Sequence, residues 1–413
     1  MKTRIPRNKV SDVRGVGKLA VDATVGLTSL VEALHHNIAR ASAPLGVAVE
    51  APMDGVSGFV YRTIRGATRA VGGGVDLLLG EIAPLLENES SSTRREAVLS
   101  ALNGVLGDHL ALTGNPLAIP MRLRRNGFPL ELTRDALRVA IPNPGSRVLV
   151  LVHGLCFNDL QWRRKGHDHG AALAKDAGSM RPLTELYLHY DSGRHVSTNG
   201  RAFAEVLEAL SRAWPVPIEE LTLVGHSMGG LVVRSACAYG SIAGHAWLGR
   251  LRNLVFLGTP HEGAPLERGG NWVNMLLDAS PYTAAFARLA KIRSAGITDL
   301  RHGSILDDDW VLQDRFRHAK GAADARVSVP LPAGVAGYAI AGSISRRAGA
   351  VGERLVGDGL VPVESALGHR AGPGAGALFP PSHQSIAHGV NHVGLLNSKK
   401  VYRQMKRWLL GTG

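Results

Sequence analysis

The sequence predicts an α/β fold with a mostly parallel β-sheet covered by helices, preceded by an amino-terminal helical region. Beyond residue 115, short apolar runs alternate with stretches of helical periodicity, as in a parallel sheet buried on both faces. Before that point, apolar residues recur at helical spacing. With 413 residues, 45% of them hydrophobic and 20% charged, the chain has the composition of a globular protein with a large core.

Individual elements follow from the spacing of apolar residues. Five apolar runs predict strands, and three periodic segments predict helices. The strands are expected at 148–152, 185–190, 221–224, 254–257 and 338–341, and the helices at 201–214, 229–239 and 393–410. The dipeptide Asn126-Gly127 interrupts an alternating segment and predicts a β-hairpin, because both residues suit the positive φ of a tight turn.

The same patterns divide the chain into regions. Residues 1–115 are predicted to form the helical region and residues 116–413 the α/β domain. Within the latter, an insertion over about 261–333 carries apolar residues at roughly helical spacing: Trp272, Val273, Met275, Leu276, Leu277, Tyr282, Phe286 and Leu289. We interpret this insertion as a helical lid over the active edge of the sheet, the alternative being helices that complete the core.

The charge balance is basic. Lysine and arginine number 47 against 34 aspartates and glutamates, giving a net charge of +13 that is spread along the chain. Such a charge raises the question of nucleic acid or anionic membranes as partners. Aromatic residues make up only 5% of the chain, and it carries no nucleic-acid recognition motif. We therefore expect no nucleic-acid partner.

The amino-terminal sequence bears on localisation. Residues 1–18 are rich in lysine and arginine but contain no apolar core of signal-peptide length. The apolar stretch 71–86 is interrupted by Asp76, Glu81 and Pro84, so no membrane-spanning helix is expected. These features predict a cytoplasmic protein, with peripheral membrane contact through the amino-terminal helices as a second option. The sequence leaves the oligomeric state undetermined.

Cysteines and histidines give no sign of a metal. The two cysteines, Cys156 and Cys237, stand in unlike settings and predict buried thiols rather than a disulfide framework or a zinc site. His167 and His169 alternate without a third ligand at a defined spacing, so we interpret this segment as a solvated loop. No metal and no organic cofactor are expected.

The sharpest motif is Gly225-His226-Ser227-Met228-Gly229, which joins a predicted buried strand directly to a predicted helix. The small residues at both ends permit a strained strand-to-helix turn that presents the serine hydroxyl. Ser227 is the predicted nucleophile, the alternative being a serine that only caps the helix.

A serine nucleophile needs hydrogen-bond donors for the oxyanion that forms when it attacks a carbonyl. The predicted strand 148–152 runs into His153-Gly154-Leu155, which places a backbone N–H of that loop near the nucleophile. We expect the N–H groups of Leu155 and Met228 to be these donors. The ring of His153 is interpreted as structural or loop-orienting.

The serine also needs a base and an acid that orients the base. Asp358 lies between two glycines after the predicted strand 338–341, and His392 immediately precedes the last predicted helix. We predict Asp358 as the acid and His392 as the base. Alternatives remain open for both roles: His383 and His388 for the base, and Asp307, Asp308 and Asp309 for the acid.

Five motifs, in their order along the chain, resemble those of a known superfamily. They are the His-Gly-Leu loop at 153–155, Gly-His-Ser-Met-Gly-Gly at 225–230, Phe-Leu-Gly-Thr-Pro-His-Glu-Gly at 256–263, Gly-Asp-Gly-Leu-Val-Pro at 357–362 and Asn-His at 391–392. Together they resemble α/β-hydrolases of the bacterial lipase and esterase group, including relatives of GPI inositol-deacylases. The resemblance covers about residues 117–413, and the amino-terminal helical region departs from it.

The resemblance implies the assignment already reached from placement: Ser227 as nucleophile, Asp358 as acid, His392 as base, and Leu155 and Met228 as oxyanion donors. The expected activity is hydrolysis of a carboxylic ester with a lipid-like or apolar acyl group, through an acyl-enzyme. One alternative is an acyltransferase that uses the same serine. Another is a non-catalytic, membrane-associated binding protein on a hydrolase scaffold.

Overall fold

The computed structural model describes residues 14–15, 17–18, 92–264, 294–310, 329–346, 357–370 and 376–411. Its α-helices are α1 (Ser92–Leu112), α2 (Arg134–Ala140), α3 (His169–Ala177), α4 (Val196–Ala213), α5 (Met228–Ile242), α6 (Ala295–His302), α7 (Val363–Ala366) and α8 (Lys399–Leu410). Its strands are β1 (Arg122–Arg125), β2 (Phe128–Pro129), β3 (Arg147–Val152), β4 (Leu183–His189), β5 (Glu220–His226), β6 (Leu251–Leu257), β7 (Ala336–Ser343), β8 (His369–Arg370), β9 (Gly376–Ala377) and β10 (Gln384–His388).

Eight of the described strands form one sheet in the order β10-β7-β6-β5-β3-β4-β1-β2. Neighbouring strands from β10 to β4 pair in parallel, and β1 pairs antiparallel with both β4 and β2. The short strands β8 and β9 pair separately. The predicted α/β fold with a mostly parallel sheet is confirmed.

The central strands are buried because their residues are apolar on both faces. Every residue of β3 and β4 is buried, as are six of the seven in β5. Helices α4 and α5 pack against each other beside the sheet, and their buried apolar side chains join the same core. This places the carboxyl ends of β3, β5, β6 and β7 along one edge, where a parallel sheet carries its functional loops.

The predicted hairpin is present. Asn126 and Gly127 link β1 to β2 with φ values of 54° and 79°, as the turn requires.

The predicted start of the last helix, 393–410, is wrong. A 3-10 turn occupies Val393–Leu396, and α8 begins at Lys399. Strand β10 was not predicted, because its short sequence Gln-Ser-Ile-Ala-His is mostly polar.

Helix α1, at the end of the predicted amino-terminal region, packs onto the sheet domain. Val98, Leu99, Leu102 and Val105 are buried and belong to the same hydrophobic core as the strands. This face of α1 is therefore not available to a membrane. The predicted membrane contact was placed on the helices of residues 1–115, of which 1–13, 16 and 19–91 lie outside the described residues, and it stays a prediction. No helix in the described part of the chain has the length and apolar character needed to cross a bilayer.

The predicted lid falls mostly outside the described residues, which omit 265–293 and 311–328. Two elements lie in the described part of this segment, both within residues 294–310. Helix α6 packs against α1, and Asp307–Asp309 forms a 3-10 turn. The lid and the domain boundary at residue 115 stay predictions.

Candidate active site

Ser227 lies on a strained turn between β5 and α5. Its backbone has φ 54° and ψ −127°, a conformation that L-residues rarely adopt. The neighbouring glycines make this turn sterically possible. A Cβ on Gly225 would lie 2.4 Å from the Cα of Gly230, and one on Gly229 would lie 2.3 Å from the carbonyl oxygen of Val152. The structure therefore has the strand-turn-helix geometry expected around Ser227.

The turn is fixed by backbone hydrogen bonds. The N–H of Ser227 donates to the carbonyl of Leu257 at 2.9 Å, and the N–H of Gly230 donates to the carbonyl of Ser227 at 3.0 Å. Met228 begins α5, so its N–H is one of the amides at a helix start that have no carbonyl partner within the helix. That amide follows Ser227 directly, as an oxyanion donor at this position must.

The loop after β3 approaches the nucleophile closely. A Cβ on Gly154 would lie 2.9 Å from the Cβ of Ser227, so only a glycine lets the loop come this near. Leu155 follows with its side chain buried. Cys156 then adopts φ 62°, and its N–H donates to the Ser192 hydroxyl at 3.0 Å. This bond fixes the loop that carries the predicted Leu155 donor.

His153 is buried and directly precedes Gly154, the residue that comes close to Ser227. Its ring stacks on Tyr190 with centroids 4.3 Å apart, and its Nδ1 lies 2.9 Å from the carbonyl oxygen of Gly154. A carbonyl oxygen can only accept, so Nδ1 carries the proton. Burial lowers the pKa of His153 to about 4, which keeps the ring neutral. Its contacts are those of a loop-orienting residue.

Asp358 and His392 form a buried hydrogen-bonded pair. Nδ1 of His392 lies 2.7 Å from Oδ2 of Asp358, and the N–H of His392 donates to the carbonyl of Asp358 at 3.0 Å. The other carboxylate oxygen, Oδ1, accepts the N–H groups of Leu360 at 3.0 Å and Val361 at 2.9 Å. With its proton on Nδ1, His392 presents a bare Nε2, which has no hydrogen-bond partner among the described residues.

Two glycines make room for this pair at the ends of β6 and β7. Gly258 has φ 57°, and a Cβ there would lie 3.0 Å from Oδ2 of Asp358 and 3.2 Å from Nδ1 of His392. A Cβ on Gly342 would lie 2.7 Å from the Cβ of Asp358. The acid and the base thus lie beside Gly258. The preceding residue, Leu257, accepts the N–H of Ser227 with its carbonyl, so the pair and the serine are close along the same sheet edge.

Three of the alternative acids and bases are engaged elsewhere. Nδ1 of His383 bonds the carbonyl of Gly337 at 3.0 Å, and Asp307 pairs with Arg201. Oδ2 of Asp309 accepts two backbone N–H groups of its own turn. Asp308 is exposed, and His388 ends β10, four residues before His392. Of these candidates, the structure brings together Asp358 and His392.

His226 is a residue at the site that the sequence did not single out. Its Nε2 lies 3.1 Å from the carbonyl oxygen of His392, and the two ring centroids are 4.8 Å apart. The only signal in the sequence was its place inside the Gly-x-Ser-x-Gly motif, whose second position tolerates many residues.

A separate cavity of about 300 Å³ opens beside α5, and none of Ser227, Asp358, His392, Leu155 and Met228 lines it. Its walls include Arg234, His261, Glu262, Asp309 and Arg370. His261 is buried, and burial lowers its pKa well below the usual range. The cavity wall is mixed, because these polar and charged side chains lie beside the apolar side chains of Ile305, Val329, Leu331 and Leu378.

The histidines 167 and 169 do not form a solvated loop, so that interpretation is wrong. His169 is fully buried at the start of α3, with Nε2 2.9 Å from the carbonyl oxygen of Leu395 and Nδ1 2.8 Å from Nε2 of His167. Across the described part of the chain, no three His, Cys, Asp or Glu side chains are grouped so as to hold a metal ion. Cys156 and Cys237 are both free and buried, as expected.

Comparison with solved structures gives several similar proteins. A mature lipase from Bacillus licheniformis is 17% identical, with a TM-score of 0.40 over 70% of this chain and 98% of the other. Lipase B of Aspergillus fumigatus is 12% identical, with a TM-score of 0.37 over 66% of this chain and 57% of the other. A phospholipase from Legionella pneumophila is 16% identical, with a TM-score of 0.39 over 64% and 57%.

No curated protein matches the chain in sequence. Residues 144–330 match the family model of the PGAP1-like alpha/beta domain. This segment contains β3 to β6, the predicted oxyanion loop and the turn at Ser227. The parallel sheet and the strand-turn-helix at Ser227 have the architecture of the α/β-hydrolase fold, as the motifs predicted, and the matched segment is similar to the PGAP1-like alpha/beta domain.

Proposed function

We propose that the protein is a serine hydrolase that cleaves carboxylic esters. The observation that carries this proposal is the buried pair of Asp358 and His392, 2.7 Å apart, at the same sheet edge as Ser227 on its strained turn. Scaffold packing does not require a buried acid-base pair beside a serine whose backbone is strained.

In the proposed reaction, Ser227 Oγ attacks the ester carbonyl while Nε2 of His392 takes its proton. Asp358 stabilises the imidazolium through the bond from Nδ1, and its second oxygen stays bound to the amides of Leu360 and Val361. The oxyanion accepts hydrogen bonds from two backbone N–H groups, those of Leu155 and Met228.

Collapse of this intermediate breaks the ester C–O bond, and the leaving alkoxide takes the proton from His392. A water molecule then attacks the acyl-enzyme while His392 again accepts a proton. The second intermediate releases the carboxylic acid, and Ser227 recovers its proton from His392. The sequence of steps consumes one ester and one water and needs no cofactor.

For the substrate we propose an ester with an apolar acyl group. Apolar side chains pack against the residues of the site: Phe157 meets the ring of His226, and Leu395 lies beside Gly258, next to Asp358 and His392. An apolar chain entering such a site removes hydrocarbon surface from water, at about 25 cal/mol per Å². Longer acyl chains are therefore expected to bind more tightly, up to the length the site can cover.

The test is hydrolysis of p-nitrophenyl esters from two to sixteen acyl carbons by wild type, Ser227→Ala and His392→Ala. Both variants should lose activity by about 10⁴-fold or more, because nucleophile and base act in the same step and removal of either one abolishes it. Ser241→Ala is the matched control, since Ser241 is exposed near the far end of α5. A fluorophosphonate should label Ser227 in wild type, and the site of labelling is read by peptide mass spectrometry.

An active Ser227→Ala enzyme, or labelling at another serine, would refute the assignment of Ser227. Wild type without activity on any ester and without labelling would point to the non-catalytic binding protein. Adding a primary alcohol separates hydrolase from acyltransferase, because an acyltransferase forms the new ester in preference to the free acid.

A further inference from the structure

We propose that His226 is a positioning residue that holds the general base His392 by donating a hydrogen bond from Nε2 to its main-chain carbonyl. This inference rests on the proposed function, in which His392 is the base. The bond measures 3.1 Å and lies wholly inside the protein. It joins the residue next to the nucleophile to the residue that must take the nucleophile's proton.

The direction of the bond follows from its acceptor. A carbonyl oxygen has no proton to give, so Nε2 of His226 is the donor and Nδ1 carries a lone pair. Nδ1 has no hydrogen-bond partner among the described residues. A Cβ on Gly154 would lie 3.2 Å from this nitrogen, so the oxyanion loop closes over that side of the ring.

Two aromatic side chains fix the plane of the His226 ring. Phe157 and Trp162 meet it edge-on, with centroid distances of 5.8 Å and 6.3 Å. Both aromatic side chains are themselves buried. The ring therefore has little freedom to rotate its Nε2–H away from the carbonyl of His392.

His392 is held through its ring, its N–H and its carbonyl. Its ring Nδ1 and its backbone N–H both bond to Asp358, and its carbonyl accepts from His226 at 3.1 Å and, at 3.4 Å, from the N–H of Leu395 in its own turn. The first two bonds fix the base relative to the acid only. The third fixes it relative to Ser227, because His226 and Ser227 are adjacent in a turn with little conformational freedom. His226 thereby sets the position of Nε2 of His392 with respect to the hydroxyl.

The charge state of His226 suits this role. Burial, and then the neighbouring His392, lower the pKa of His226 well below its usual range. The ring stays neutral when His392 becomes an imidazolium 4.8 Å away, so the two rings do not repel each other. A neutral donor holds the base without opposing its protonation.

The test compares three substitutions at this position. In His226→Gln, the side-chain amide can place its N–H₂ close to where Nε2 lies and keep the bond. In His226→Asn, the amide reaches only to the position of Nδ1, and His226→Phe fills the volume without a donor. We expect kcat to fall by about a hundredfold in the Asn and Phe variants, with KM nearly unchanged, and to be largely rescued in the Gln variant.

His245→Gln is the matched control. His245 follows α5, whose fifteen residues place it at the opposite edge of the sheet from Ser227. Its activity should equal that of wild type. Equal kcat in the Gln, Asn and Phe variants, or a loss that appears in KM rather than kcat, would overturn the positioning role.

A spectroscopic measurement separates this inference from the proposed function. The proton between Nδ1 of His392 and Asp358 should give a resolved downfield ¹H resonance whether or not the enzyme hydrolyses the chosen esters. The bond from His226 also restrains the main chain of His392, so its loss should let the Nδ1 proton exchange faster with solvent. Broadening of this resonance in the folded Asn and Phe variants, with a sharp line in the Gln variant, would support the role of His226. Identical downfield spectra in all of them would refute it, and circular dichroism confirms that each variant is folded.

Discussion

Gly104 of α1 packs directly against Cys156, the residue that follows the predicted oxyanion donor Leu155. A Cβ on Gly104 would lie 2.2 Å from the Sγ of Cys156 and 3.0 Å from its Cα and N atoms. The contact places a helix from the amino-terminal side of the chain on the backbone of the loop that faces Ser227. The position of α1 is thus coupled to the geometry of the site.

Substitution of this glycine should therefore impair catalysis. In Gly104→Ala the new methyl group overlaps Sγ of Cys156, so we expect the loop to shift and the N–H of Leu155 to move with it. We expect kcat to fall by about ten- to a hundredfold, less than complete loss of an oxyanion donor, with little change in KM. Steady-state kinetics on the ester that wild type cleaves best provides the measurement. Gly249→Ala is the control, because a Cβ there meets nothing within 4 Å; equal kcat in both variants would uncouple α1 from the site.

Asp358→Asn should inactivate the enzyme without unfolding it. The amides of Leu360 and Val361 bond one side-chain oxygen of Asp358, so the asparagine must keep its oxygen there and turn its N–H₂ toward His392. Nδ1 of His392 then has to accept, and its proton moves to Nε2, where it blocks abstraction from Ser227. We expect a fall in kcat of about 10⁴-fold with a melting temperature within a few degrees of wild type. Retention of more than a tenth of the activity would exclude Asp358 as the orienting acid.

Much of the fold was predictable because the central strands carry continuous apolar runs. The predicted strands 148–152, 221–224 and 254–257 all fall within observed strands, and each observed strand is longer than the predicted one by only a few residues. Strand β10 was missed because its side chains are largely polar. It forms because its backbone pairs in parallel with β7, a long-range contact that periodicity does not report.

At the site, sequence reasoning found the side chains proposed here to carry out the chemistry but not those that hold them. Asp358 and His392 could be found because each follows a predicted strand or precedes a predicted helix in a known order. The bond from His226 to the carbonyl of His392 joins residues far apart in the chain. Likewise, the need for glycine at position 258 appears only once both partners of the dyad surround it.

Asp191 should make stability depend on pH. Burial raises its pKa to about 7 from an ordinary 3.8, and its Oδ2 has no hydrogen-bond partner among the described residues. The folded state thus keeps this proton to higher pH than the unfolded chain, so the free energy of unfolding falls as pH rises between these two values. This group alone should lower it by about 3 kcal/mol from pH 5 to pH 8.

Asp191→Asn removes this dependence, since its oxygen can still accept the N–H of Gly193. Urea unfolding at pH 5 and pH 8 should show the variant matching wild type at the lower pH and exceeding it at the higher one. Asp308→Asn, at an exposed position, should leave the wild-type profile unchanged. A parallel pH profile for Asp191→Asn and wild type would show that Asp191 ionises normally in the folded state.

Arg124 should contribute more to the free energy of unfolding than a surface arginine does. Its guanidinium bonds Glu96 of α1 at 2.9 Å and Asp159 at 3.2 Å, and all three side chains are mostly buried. Arg124→Met leaves Asp159 without its cation and Glu96 with the more distant Arg95 at 3.7 Å, which should cost about 3 kcal/mol at pH 8. The cost should shrink at pH 5, because burial already raises the pKa of Asp159 to about 6, and loss of Arg124 raises it further. Arg138→Met, which breaks only an exposed pair with Asp135, should change the free energy by about 0.5 kcal/mol or less. Urea unfolding of both variants at the two pH values provides the measurement. An equal loss in the free energy of unfolding in Arg124→Met and Arg138→Met would mean that the buried ion pairs of Arg124 stabilise the fold no more than an exposed pair does.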